Sequence, residues 1–152
     1  MSKAQKLAVV ALSMFVLAFA GTAAGQPSTG MTALTAWTNQ SGSTLYIDAV
    51  DPTGKVTGHY INRASGFGCQ NVVYPVTGWI YNNSITFTVI WQSSTQSCNS
   101  ITSWTGFYYN GQLSTLWQLV VNGSTRTNQI VQGSDVFRPT AATTSPSLVQ
   151  PK

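Results

Sequence analysis

The chain has 152 residues, of which only 7% are charged, and its seven lysines and arginines outnumber its three acidic residues. Domains usually carry about 25% charged residues, so the surface of this protein must consist largely of uncharged polar side chains. Because its basic residues are scattered, the net charge of +4 does not indicate a nucleic-acid surface, which requires clustered lysines and arginines.

Residues 1–25 have the pattern of a secretory signal peptide. Basic residues precede a continuous apolar run from Leu7 to Ala20, and small residues follow it. The run is shorter than the roughly 20 apolar residues of a membrane-spanning helix. We therefore expect cleavage near Ala24 or Gly25 and a secreted or periplasmic protein with no membrane attachment after cleavage.

The rest of the sequence predicts eight short strands separated by turn signals. In chain order the candidate strands are residues 34–39, 44–50, 54–62, 74–81, 84–92, 101–109, 112–120 and 127–137. The Asn-Gly pair at 110–111 is a strong hairpin signal, because both central residues of such a turn need positive φ. Eight strands at hairpin spacing indicate a β-sandwich or an up-and-down barrel. Consecutive hairpins favour the all-β, eight-stranded antiparallel barrel with one ligand pocket at its mouth.

We expect a single folded domain. The barrel should occupy residues 34–138, preceded by a flexible segment at 26–33 and followed by a disordered tail at 139–152 that is rich in Thr, Ser and Pro. An eight-stranded barrel is wide enough for side chains or for one small ligand.

Alternation along the strands assigns side chains to two faces. One face is the more apolar and should be the interior; it holds Leu45, Ile47, Val56, Gly58, Tyr60, Phe87, Val89, Trp91, Trp104, Trp117, Leu119 and Val121. Polar residues lie near the strand ends of the same face, namely Ser43, Asn62, Ser100, Thr102 and Asp135. Such residues would cluster at one mouth of the barrel.

Each candidate also has an ordinary structural explanation. Asn39 and Ser43 could hold a turn and begin a strand, Asp135 could be a turn residue, and Tyr60 and the tryptophans could be core residues. Taken together, several uncharged donors, one carboxylate and aromatic walls match a small-molecule pocket better.

The sequence gives little support to an enzyme. Alternation places His59, the only histidine, on the face opposite Tyr60. Of the three carboxylates, Asp48 and Asp51 lie at one hairpin end, away from Asp135. Neither metal-ligand spacing nor a Gly-rich phosphate loop is present in the sequence. We therefore predict binding without catalysis, metal or cofactor.

The two cysteines, Cys69 and Cys98, are predicted to form a disulfide, because exported proteins meet oxidising conditions. The closed loop would contribute about 3.6 kcal/mol by the chain-entropy model. Two free buried thiols are the alternative.

Several motifs resemble the avidin/streptavidin family of biotin-binding barrels, in the order and at the spacing of that family. They are WTNQSGSTL at 37–45, TGHY at 57–60, the segment 91–104, TLWQL at 115–119 and GSDVF at 133–137. GFGCQN at 66–71 and SCNS at 97–100 are more similar to the dimeric, rhizavidin-like branch. Tetrameric members take a tryptophan from a neighbouring subunit in the loop before the last strand, and this chain has none there, at 122–130.

The resemblance implies that biotin is the ligand. Asn39, Ser43 and Tyr60 would donate hydrogen bonds to its ureido oxygen. Asp135 would accept from one ureido N–H group and Asn62 from the other, although streptavidin has a serine at the place of Asn62.

The resemblance assigns the remaining pocket residues to other parts of biotin. Thr102 would contact the ring sulfur and Ser100 the valerate carboxylate. The walls around the bicyclic ring and chain would be formed by Trp91, Trp104, Trp117 and Leu119. The disulfide would tie two loops together beside the pocket, where tetramers place the borrowed tryptophan, and the chain would form a homodimer.

Two alternatives to biotin binding stay open. The same barrel could hold a different small ligand. A secreted carbohydrate-binding module is a further possibility, but its tryptophans would be expected on the outer face.

Overall fold

Residues 30–140 are described in the computed structural model of this protein, and they form a closed antiparallel barrel. The predicted signal peptide at 1–25 lies outside these residues, as do residues 26–29 and 141–152 of the segments expected to be flexible or disordered. Those predictions stay predictions. Pro139 and Thr140, the first two residues of the expected tail, belong to the last strand.

The barrel has eight strands in up-and-down order, which confirms the predicted fold class. The strands are β1 (Thr35–Asn39), β2 (Thr44–Val50), β3 (Lys55–Ile61), β4 (Val73–Tyr81), β5 (Ser84–Trp91), β6 (Ser100–Tyr109), β7 (Gln112–Val121) and β8 (Val131–Thr140). Each strand pairs with the next one in the sequence, and β1 pairs with β8 to close the barrel.

The last strand begins later than predicted. Residues Thr127–Gln129 form a 3₁₀ turn instead of extended chain. The side-chain oxygen of Gln129 accepts hydrogen bonds from the backbone N–H groups of Thr125 and Arg126, at 2.8 and 2.9 Å. Such local bonds give the backbone an alternative to a sheet partner.

Within residues 30–140 this turn is the only helical segment, and no helix is long and apolar enough to cross a membrane.

The connections at the two ends of the barrel differ in length. Residues 51–54, 82–83 and 110–111 form tight turns at one end, which we call the closed end. Asn110 and Gly111 both have positive φ, at 49° and 77°, as the predicted hairpin requires. The connections 40–43, 62–72, 92–99 and 122–130, the last three of which have eight residues or more, surround the opposite end, which we call the mouth.

The core fills the barrel between the closed end and the mouth. The predicted interior residues Leu45, Val56, Phe87 and Val89 are at most 1% exposed. Burying one such side chain contributes about 1.5–3 kcal/mol. Trp37, which is not among the predicted interior residues, is also 1% exposed. The cavity described below lies on the mouth side of this apolar core.

Candidate ligand-binding site

A cavity of about 350 Å³ opens at the mouth of the barrel. Every predicted pocket residue lines it: Asn39, Ser43, Tyr60, Asn62, Trp91, Ser100, Thr102, Trp104, Trp117, Leu119 and Asp135. Residues that are up to 96 positions apart in the chain therefore meet at one site. Their roles toward a ligand stay predictions.

The carboxylate of Asp135 is the centre of the hydrogen-bond network in the cavity. Its Oδ1 accepts from Asn39 Nδ2 at 3.0 Å and from Gln40 Nε2 at 2.8 Å, and its Oδ2 accepts from Trp104 Nε1 at 2.8 Å. Hydrogen bonds to a charged acceptor are roughly twice as strong as neutral ones. An ionised carboxylate has about four acceptor positions, so three donors leave room for one N–H group of a ligand.

Asn39 acts both as a turn residue and as a pocket residue. Its Oδ1 accepts from the backbone N–H groups of Ser41 and Ser43, at 3.0 and 2.9 Å, which fixes the loop after β1. Its Nδ2 faces the cavity, 3.5 Å from the hydroxyl of Tyr60. The same side chain therefore both holds the turn and lines the cavity.

Tyr60 lies on β3 at the base of the cavity and is 2% exposed. Burial, together with the nearby negative charge of Asp135, raises the pKa of the Tyr60 hydroxyl. The Tyr60 hydroxyl therefore keeps its proton at neutral pH and can donate a hydrogen bond into the cavity.

Aromatic rings form the walls of the cavity. Trp104 stacks on Phe87, with ring centroids 4.8 Å apart, and lies 5.1 Å from the ring of Tyr60. Trp91 meets Tyr60 edge to face at 5.8 Å, and its Nε1 donates to Thr102 Oγ1 at 2.8 Å. These contacts hold the rings in place without a ligand.

Two mouth loops, 62–72 and 92–99, form what we call the lid. A disulfide joins Cys69 to Cys98 across them, with Cα atoms 6.0 Å apart, as the sequence predicts. Cys69 N donates to Gln96 Oε1 at 2.7 Å, and Ser100 Oγ donates to the Cys98 carbonyl at 2.9 Å. A Cβ at Gly68 would come within 2.8 Å of Cys98 Cβ, so only glycine fits there. One of the bridged cysteines, Cys98, is thus hydrogen-bonded to a predicted pocket residue, Ser100.

Asn62, the first residue of the lid, already has hydrogen-bond partners at both atoms of its side-chain amide. Its Nδ2 donates to the Gly68 carbonyl at 3.0 Å, and its Oδ1 accepts from Ser43 Oγ at 3.3 Å and from Ala64 N at 3.0 Å. Acceptance of a ligand N–H by this oxygen would need one of those bonds to lengthen or break.

Phe67 lines the cavity but was not identified from the sequence. Its ring is 47% exposed and meets Trp117 edge to face, with centroids 6.3 Å apart. It lies in the lid, two residues before Cys69. An aromatic residue between two glycines, two positions before a cysteine, was the available signal. Phe67 gives the lid an aromatic ring from the chain itself, whereas residues 122–130 supply none.

His59 lies outside the cavity, as alternation predicts. Its ring stacks on Tyr46 at 4.2 Å on the outer wall, and its Nδ1 lies 2.9 Å from Asp48 Oδ2. In the range 30–140, no group of three or more His, Cys, Asp or Glu residues is arranged to hold a metal ion. Hydrogen bonding and aromatic contact are the chemistry that the cavity offers.

The comparisons with known proteins agree with this geometry. The model of the Avidin family matches residues 27–140. Afifavidin of Afifella pfennigii is 44% identical over 105 residues, which are 66% of this chain and 65% of afifavidin.

Two solved structures share the fold. Apo shwanavidin is 56% identical, with a TM-score of 0.70, and the match covers 74% of this chain and 98% of shwanavidin. The rhizavidin–biotin complex is 44% identical, with a TM-score of 0.65, and the match covers 77% of this chain and 99% of rhizavidin. With the family model covering the whole barrel, the chain belongs to the avidin family.

Proposed function

We propose that this chain is an exported protein that binds biotin non-covalently in the cavity at the mouth of the barrel. The observation that carries the proposal is the buried Asp135 carboxylate, held by three donors and surrounded by uncharged polar groups and aromatic walls. The biotin complex of rhizavidin supports biotin as the ligand.

The arrangement suits a cyclic urea. Its oxygen would accept from Asn39, Ser43 and Tyr60, while one N–H group would donate to Asp135. Because Asn39 is already bonded to Tyr60 and Asp135, and Ser43 to Asn62, binding needs little further ordering of these side chains, and preorganisation of this kind favours affinity. The valerate chain would pass between the tryptophans toward Ser100 at the mouth. Nothing in this scheme requires catalysis or a cofactor.

A thermal melt with and without biotin tests the proposal. Free biotin at a hundred times its dissociation constant stabilises the native state by about 2.7 kcal/mol. For a domain of this size the melting temperature should rise by about 10 °C. Pentanoic acid has the chain and carboxylate but no ureido ring, so it should leave the melting temperature unchanged. The absence of a shift with biotin would refute the proposal, and a shift with another small molecule alone would favour the alternative ligand.

We also propose a homodimer, formed through the outer face of β5, β6 and β7. None of these three strands contains a charged residue. Ile90 lies opposite Ile101, which lies opposite Val120, and all three side chains are at least 41% exposed; Leu116 on the same face is 71% exposed. Large apolar patches on a surface commonly mark interfaces.

Sedimentation analysis tests the homodimer. It should give twice the chain mass for the wild type and a monomer for Leu116→Glu; a wild-type monomer would contradict the proposal.

Export remains a proposal based on the N-terminal pattern. N-terminal sequencing of the mature protein should begin near Gly25 or Gln26; recovery of an intact N-terminus from an exporting host would contradict it.

A further inference from the structure

The side chain of Gln40, in the first mouth loop, makes three hydrogen bonds to β8 although the residue is exposed. Its Nε2 donates to Asp135 Oδ1 at 2.8 Å and to the Ser134 carbonyl at 3.1 Å. Its Oε1 accepts from Val136 N at 2.9 Å. The nitrogen and the oxygen of the Gln40 amide therefore contact Asp135 and the residues on either side of it.

The two backbone bonds continue the ladder between β1 and β8 by one step. The last paired residues of these strands are Asn39 and Phe137, and the chain then turns away into the loop 40–43. The Gln40 amide has the same donor and acceptor as a peptide group, and it bonds to the N–H and C=O groups that flank Asp135. It therefore holds β8 in place where β1 no longer can.

The third bond acts on the carboxylate itself. The terminal torsion of an aspartate has a broad energy profile, so backbone geometry alone does not fix the plane of the carboxyl group. Trp104 holds Oδ2, whereas Asn39 and Gln40 hold Oδ1. Asn39 is also expected to donate to the ligand, so its amide would be shared between the ligand and Asp135 once the site is filled. Gln40 also lines the cavity, but the proposed binding scheme gives it no bond to the ligand, so its bond to Asp135 can persist.

We propose that Gln40 is a positioning residue for Asp135: it fixes the backbone on both sides of Asp135 and orients the carboxylate so that one acceptor position faces the ligand. This inference rests on the proposed biotin binding for its effect on affinity. Its effect on Asp135 is independent of any ligand.

The first test uses the unliganded protein. The Trp104 indole N–H donates to Asp135, so its hydrogen exchange, followed by NMR, reports how well the carboxylate is held. In Gln40→Ala this exchange should be at least about tenfold faster, since a bond to a charged group is lost. Gln132→Ala, an exposed glutamine on the same strand, is the matched control and should leave the exchange unchanged. Unchanged exchange in Gln40→Ala would overturn the proposal.

The second test measures biotin release. Gln40→Ala should release biotin about 10-fold to 100-fold faster, and Gln132→Ala at the wild-type rate. Equal release rates in the wild type and Gln40→Ala would also overturn the proposal. If the wild type does not bind biotin, the proposed function fails, while the exchange experiment still tests the role of Gln40.

A pH profile separates positioning from a general loss of structure. Gln40→Glu keeps the size of the side chain but places a second carboxyl against Asp135, and two carboxylates at this distance favour sharing one proton. Acidification from about pH 8 to about pH 5 should add a proton that the two carboxyl groups share, which restores a hydrogen bond between residue 40 and Asp135. Biotin release from Gln40→Glu should then slow at least about tenfold. A release rate of Gln40→Glu that varies with pH only as the wild type does would contradict the proposal.

Discussion

Replacing Asp135 by alanine is expected to weaken biotin binding by at least about a thousandfold. The ligand N–H would lose a charged acceptor, which is worth about 1.5–3 kcal/mol. The donors on Asn39, Gln40 and Trp104 would also lose their common partner inside the site. Leaving a buried donor unpaired costs about 1–3 kcal/mol. A total above about 4 kcal/mol corresponds to a thousandfold change in the dissociation constant.

Calorimetric titration with biotin measures this effect, and Asp51→Ala is the control. Asp51 is an exposed carboxylate at the closed end, where its Oδ1 accepts from Thr53 N at 2.8 Å and from Lys55 N at 3.0 Å. Its removal should disturb a turn but leave the dissociation constant unchanged. A loss of less than about tenfold in Asp135→Ala would mean that Asp135 does not accept a hydrogen bond from the ligand.

Removing the disulfide should affect both stability and biotin release. The double variant Cys69→Ser with Cys98→Ser opens a loop whose closure is worth about 3.6 kcal/mol in the chain-entropy model. It also frees the two halves of the lid, and with them the carbonyl that holds Ser100. At the position of the lost disulfide, the hydrogen bond from Cys69 N to Gln96 Oε1 would still join the two halves of the lid. We expect biotin release to accelerate at least about tenfold.

Urea unfolding gives the stability change, and displacement of labelled biotin by excess unlabelled biotin gives the release rate. The wild type in a reducing buffer should reproduce both changes, which excludes an effect of the serines themselves. If stability falls while the release rate stays at the wild-type value, the disulfide stabilises the fold but does not retain the ligand.

The sequence predicted the barrel correctly, and the residues that it singled out line the cavity, for identifiable reasons. Strands with one apolar face and turns with glycine or asparagine are local signals, and successive hairpins leave few alternatives for strand order. Parity then placed Tyr60, Trp104 and Asp135 on the inner face. Their meeting at the mouth follows from the up-and-down order, because the end of each odd-numbered strand and the start of the next strand lie on the same rim of the barrel.

The features that were missed depend on side chains that act across the fold. Gln40 follows a strand and could be a solvent-exposed loop residue; only the position of β8 shows its three bonds. Phe67 lies in an irregular loop, where alternation gives no information about direction. The 3₁₀ turn at Thr127–Gln129 forms because of one side-chain oxygen, and the strand pattern around it does not reveal this bond.

The position of the mouth relative to the strand ends has a practical consequence. The chain enters β1 at Thr35 and leaves β8 at Thr140, and both positions are at the closed end, with Ala36 paired to Thr140. A sensor surface or a fusion partner joined next to either residue would therefore sit on the opposite side of the barrel from the cavity. Immobilised in this way, every molecule would present its ligand site to the solution, and the attached linker would lie away from the loops that surround the cavity.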